Sequence, residues 1–147
     1  RQQKANELRT LLEKELAKAH IEAKFTWDIG ATENEMQEAL LLIRQAQWRW
    51  DFGVSSHGGS FHAPQETMRI LGHGLNKVFQ ARMLISKVLV AHGYTDNVPL
   101  PDITTKEKAQ QYIGLDMAVE KADKDKFLKE IVPEWLQKAK ANGRIVN

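Results

Sequence analysis

The chain has 147 residues, 42 % of them hydrophobic and 27 % charged, with a formal net charge of +2. That is the composition of an ordinary globular domain with room for a real core, and no apolar run approaches the roughly 20 residues of a membrane-spanning helix. Basic and acidic residues alternate instead of clustering, which argues against a nucleic-acid footprint, and the absence of cysteine excludes disulfides, thiolate metal sites and cysteine nucleophiles.

The chain opens RQQKANELRT, with neither an initiator Met nor a capping residue, so it is expected to be a fragment whose upstream part is missing. Leu8, Leu12, Leu16, Ala23 and Trp27 follow helical spacing, and one long helix is predicted over residues 1–29, stopped by Gly30. Thr32 with Glu35 forms a capping box that opens a second helix lined by Met36, Leu40, Ile43, Trp50 and Val54, ending near Ser55 or Ser56. Pro64 suits the first turn of a third helix running to about Ala91, with His92 and Gly93 as its stop. TDNVPLPDI is an extended connector. Thr104 with Glu107 reads as a further capping box, opening segments that break at Gly114 and continue to about Val132. Pro133 then restarts a short helix ending at Asn142 and Gly143. The fold class is all-α: an antiparallel long-helix bundle, read as a single helical domain over residues 1–147.

Between the second and third helices lies QWRWDFGVSSHGGSFHAP, which packs three glycines and two histidines, His57 and His62, into a short stretch. Three readings compete for it. The histidines can be exposed on a tight turn with a helix cap. They can bind a divalent metal, although only Asp51 and Glu66 stand nearby and such sites need three or four ligands. One imidazole can be an axial ligand to a haem, its second nitrogen held by a carbonyl or carboxylate. The last reading requires that a Cys-x-x-Cys-His motif come from outside this chain.

IRQAQWRWDFGVSSHG followed by HAPQETMRILG resembles the C-terminal region of the pentahaem, ammonia-forming cytochrome c nitrite reductases (cytochrome c-552). HIEAKFTWDIGATENEM, PDITTKEKAQQYIGLDM and IVPEW match that region in order. The resemblance implies the helical C-terminal domain of a periplasmic multihaem enzyme that reduces nitrite to ammonium with six electrons. In that family the histidine before Ala-Pro is the distal axial ligand of a bis-histidine electron-transfer haem, and His62 is the matching position. The cofactor implied is haem c attached through upstream sequence. The family's haem-attachment motifs, substrate-pocket residues and calcium ligands have no counterpart here, so these residues alone are expected neither to reduce nitrite nor to bind calcium. The implied partners are nitrite, an electron-donor cytochrome or quinol dehydrogenase, and a second copy in a homodimer.

The third helix carries two apolar stripes. Met68, Leu71, Leu75, Val78, Ile85 and Leu89 read as a core seam; Phe79, Met83 and Val90 are either covered by the other helices of the bundle or, as the resemblance implies and as is favoured here, form a dimer contact, at about 1.5–3 kcal/mol for each residue buried. His57 is read as a cap or an exposed residue, and His20, His73 and His92 as structural. Trp48 and Trp50 read as core or interface. Asp51 is expected to pair with Arg49 or a nearby backbone donor, and Lys121 to Lys129 to form a solvated face. The alternative to a haem protein is a cofactor-free helical interaction module.

Overall fold

The computed structural model describes residues 2–56 and 58–145, and among them there is no strand. Helices α1 (Gln2–Asp28), α2 (Glu33–Ser55), α3 (Gly59–His62) and α4 (Pro64–Ala91) are followed by α5 (Lys106–Tyr112), α6 (Met117–Lys126) and α7 (Val132–Ala141). A π-turn over Phe127–Ile131 joins α6 to α7. The all-α expectation holds. Where the sequence reads as one domain, the contacts separate two compact units, Arg1–Leu100 and Pro101–Asn147. No helix among the described residues is long and apolar enough to cross a membrane.

In the second unit the described residues build no buried core of their own: α5, α6, the π-turn and α7 bury no residue. The helices are held by local devices instead. Asp102 Oδ1 accepts from both the backbone N–H and the hydroxyl of Thr104, so the neighbouring Thr105, not Thr104, caps α5 by accepting from Lys108 N–H at 3.3 Å. Asp116 accepts from the N–H groups of Ala118 and Val119 after the break at Gly114. Pro133 falls within the first turn of α7, and Phe127 and Trp135 meet edge to face at 5.4 Å across the π-turn. Lys121, Lys124, Lys126 and Lys129 are exposed, the expected solvated face.

The first unit is an up-down-up bundle of α1, α2 and α4. After α1 stops at Gly30, the Thr32–Glu35 capping box closes as the sequence predicts: Glu35 N–H donates to Thr32 Oγ1, and Thr32 N–H donates to Glu35 Oε2 at 2.7 Å. Glu35 Oε1 also meets His92 Nε2 at 3.2 Å, which ties the end of α4 to the start of α2. These bonds, the Thr32 backbone donor first, pull the Glu35 carboxyl down to about 2. The core joins Leu12, Leu16, Ala19 and Ala23 of α1 to Met36, Ala39, Leu42, Ile43 and Ala46 of α2 and to Leu71, Leu75, Val78, Ile85 and Leu89 of α4. The α4 core seam is therefore as expected, except that Met68 is only half-buried. Two predicted core residues lie off the inner faces, Trp27 (38 % exposed) and Val54 (43 %). Small residues carry the seam in their place, because alanines let the helices close to short separation.

The closest approaches lie at glycines. A Cβ at Gly74 would stand 2.6 Å from Leu12 Cδ2 and 3.3 Å from Arg49 Cβ, and one at Gly53 would stand 2.8 Å from Leu71 Cδ2. These notches fix the register at the end of the bundle that holds α3. Farther along, Arg82 of α4 makes a bidentate pair with Glu22 of α1, at 2.8 Å (Nε) and 2.6 Å (Nη2), and its Nη1 donates to the buried Glu15. The hydrogen bonds to Glu22 push the Arg82 guanidinium further above its ordinary value. Removing it leaves Glu22 without its cation and Glu15 with only Lys18, whose Nζ stands 2.7 Å from Oε1. Arg82→Ala is expected to destabilise the chain by about 2–4 kcal/mol, somewhat below a fully buried pair because the guanidinium reaches solvent. Urea denaturation checks this, and an unchanged midpoint would show the cluster to be neutral.

Candidate functional site

The stretch between α2 and α4 is more ordered than a plain loop. Gly58 sits at φ +77°, a left-handed conformation that favours glycine. From it the chain enters the single turn of α3, in which the N–H groups of Phe61 and His62 both donate to Gly58 O, at 2.9 and 2.8 Å. Ala63 N–H closes the turn on Gly59 O at 2.9 Å, and Pro64 begins α4 at a position where its missing N–H has no intrahelical role. Thr67 then donates both its N–H (3.0 Å) and its hydroxyl (3.1 Å) to Ala63 O. His62 is thus the last residue of a hydrogen-bonded turn, clamped between a left-handed glycine and a rigid proline. His57 lies outside the described residues.

The His62 side chain is exposed, and Phe61 stands edge-on to its ring at 5.0 Å and 90°. The Cδ2–Nε2 edge of the ring lies beside Gly58, where a Cβ would meet His62 Cδ2 at 3.0 Å and Nε2 at 3.5 Å. Among the described residues neither ring nitrogen has a hydrogen-bond partner. The carboxylates that the metal reading would recruit are engaged elsewhere. Asp51 accepts from Gln47 Nε2 at 2.9 Å, not from Arg49, whose Nη1 donates to Gln45 O instead. Glu66 is held by Arg69 through two bonds of 2.7 and 2.5 Å, which lower its carboxyl below the usual range. No group of three His, Cys, Asp or Glu side chains among the described residues is placed to hold a metal ion.

A lone accessible imidazole with both nitrogens free can give one of them to a single metal centre whose other ligands come from elsewhere. The surroundings suit a broad, flat group. Phe61, in contact with the ring, is itself 67 % exposed, whereas Trp48, assigned from sequence to core or interface, is 71 % exposed on α2. A single exposed imidazole beside an exposed aromatic ring is the donor set of a haem axial position, and these residues fit that group. The remaining histidines do not gather here: His20 and His73 are exposed on α1 and α4, and His92 is engaged with Glu35 at the opposite end of the bundle.

The Cytochrome c552 family model matches residues 1–143. The chain belongs to the cytochrome c552 family. It is 74 % identical to a protein named cytochrome c-552 from Bacteroides fragilis and 71 % identical to one from Bacteroides thetaiotaomicron, each over 145 residues. A cytochrome c-552 from Porphyromonas gingivalis is 62 % identical over 146 residues. Each alignment covers 99 % of this chain and 29 % of the relative, so the chain spans less than a third of the length of the curated relatives it matches. The family is one of cytochromes c.

The sequence singles out His62 and the glycines beside it, but not that Gly58 is left-handed and lies against the ring or that Phe61 meets it edge to face. The signal for Gly58 was its place between a helix end and a one-turn helix, where a left-handed residue is needed. Phe61 is simply the neighbour of the histidine in sequence. A side chain at Gly58 would both strain the backbone and press on the imidazole. Gly58→Ala is expected to cost roughly 1–2 kcal/mol from the left-handed conformation alone and to move the His62 ring. Denaturation and the ring's NMR resonances test this, and unshifted resonances would mean that the ring does not rest on Gly58.

Proposed function

We propose that the chain works as the C-terminal part of a periplasmic, ammonia-forming cytochrome c nitrite reductase, and that it presents His62 as the distal axial ligand of one electron-transfer haem. The observation that carries this is the His62 imidazole, exposed, unpartnered among the described residues and backed by Gly58 and Phe61. Family membership and the ordered sequence resemblance support the reading. Bound at this position, a c-type haem would supply a one-electron ferric–ferrous couple.

Each residue has a part in that arrangement. The α3 turn aims the ring, since the Gly58 carbonyl accepts from the backbone of His62 itself at 2.8 Å. Phe61 restricts the ring's rotation from one side. Occupying the axial position, His62 leaves no opening on its face for nitrite, so this part of the chain would carry electrons and not the substrate step. Nitrite, the electron donor and any calcium belong to the whole protein.

The reading includes a homodimer contact along α4. Phe79 (45 % exposed), Met83 (62 %) and Val90 (55 %) remain uncovered after the core seam of the same helix is buried, as a surface awaiting a second apolar face would.

Two measurements test these parts separately. In the full-length protein, His62→Ala is expected to change the absorption and electron paramagnetic resonance signals of one low-spin haem, leaving the rest intact. Unchanged spectra would remove the ligand assignment. Met83→Glu, which brings a charge into the α4 stripe, is expected to weaken dimerisation by at least tenfold, about 1.4 kcal/mol, in sedimentation equilibrium. An unaltered dimer would place the contact elsewhere.

A further inference from the structure

Beneath the His62 turn lies an open cleft of about 190 Å³, bounded on one side by the start of α1 and on the other by the end of α2, the α3 turn and the first turns of α4. Asn6, Arg9, Ser56, Gly58, Ser60 and Thr67 line its polar part, and no acidic side chain is among the residues that line it. The Thr67 hydroxyl is already committed to Ala63 O. Asn6, Ser56 and Ser60 make no side-chain hydrogen bond among the described residues.

Arg9 is the telling residue. Three other arginines of the bundle have partners: Arg49 on Gln45 O, Arg69 on Glu66, Arg82 on Glu15 and Glu22. Arg9 is half-buried, yet among the described residues its guanidinium has neither a carboxylate nor a carbonyl. A partly desolvated guanidinium in a cleft whose other groups are hydroxyls and an amide is matched to a planar anion, with the fork bonding a carboxylate and the hydroxyls adding donors. Gly58 belongs both to this cleft and to the support of the His62 ring, so the two features share one wall.

We propose that the cleft is a carboxylate site and that its occupant is a propionate of the haem ligated by His62, an inference that rests on the ligand assignment above. Arg9 supplies the cation, and Ser56 and Ser60 the neutral donors. With Arg9 in place, part of the propionate's negative charge beside the iron is neutralised, which favours the reduced form. Without it the oxidised form gains.

The test is a redox titration of the full-length protein in phosphate-free buffer, followed by electron paramagnetic resonance. Arg9→Gln is expected to lower the potential of one haem alone, the one whose signal His62→Ala alters. The expected size is about tenfold in the ferric-to-ferrous ratio at fixed potential, or 59 mV for one electron. Arg9→Lys should retain part of that potential, and Arg44→Gln, an exposed arginine at mid-α2, should move nothing. If His62→Ala perturbs one haem and neither Arg9 variant shifts its potential, the carboxylate site is overturned while the ligand assignment stands. If His62→Ala perturbs no haem, the ligand assignment itself has failed, and the inference with it. Inorganic phosphate is then added to the wild-type protein. A shift like that of Arg9→Gln would mean that the cleft takes free anions, overturning the propionate assignment, and no shift supports it.

Discussion

The geometry of the first unit depends on how closely α4 can approach its two neighbours. At Gly74 there is no space for a Cβ between Leu12 and Arg49, and at Gly53 none beside Leu71. Side chains at these points would push aside the ends of the Leu12 and Leu71 side chains, both fully buried, and a close-packed core leaves those ends little room to move. Because both notches lie at the end of the bundle where α2 gives way to α3, they also set where the short His62 turn can stand. The Arg82 cluster fixes the same α1–α4 pair farther along, so the relative sliding of the two helices is opposed by packing at one point and by charge at another.

On that frame, the His62 turn is an example of order imposed by backbone conformation and not by burial. No residue of α3 is buried. Its shape comes from one left-handed glycine, two N–H groups converging on the Gly58 carbonyl, and a proline that fixes the direction in which the chain leaves. Such a construction leaves an imidazole on the outside and a guanidinium on the inside of the same turn, neither with a hydrogen-bond partner among the described residues. The porphyrin proposed for this turn would answer both, with a metal at its centre and carboxylates at its edge.

Much apolar surface stays uncovered. Phe79, Met83 and Val90 on α4 are exposed, and in the second unit Ile113, Val119, Leu128 and Trp135 are exposed as well, without any buried residue in its helices to balance them. A helical unit of that kind draws little hydrophobic stabilisation from within itself, and large exposed apolar surface ordinarily marks contact with further protein. The curated relatives, of which this chain spans 29 %, are long enough to contain such a contact.

Helix borders were legible in the sequence because they are set locally. Gly30, the Thr32–Glu35 box, Pro64 and the Gly93 stop act through a few neighbouring backbone groups, and each occurs where spacing placed it. Local reasoning slipped where two residues compete for one role: Thr104 was drawn to Asp102, and Thr105 took the cap. The core seam of α4 was legible from its period. The displacement of Trp27 and Val54 from the inner faces was not, because which stripe turns inward depends on the alanines and glycines of the partner helices. His62 could be singled out from the residues around it. That its nitrogens are free, that Asp51 and Glu66 are engaged by Gln47 and Arg69, and that Arg9, some fifty residues away in sequence, shares its surroundings were all decided by tertiary structure. Sequence by itself determined the helical elements and most of their caps, because those depend on neighbours along the chain. Only the packing of α1 against α2 and α4 decided which polar groups are satisfied and which are left open, because that depends on neighbours in space.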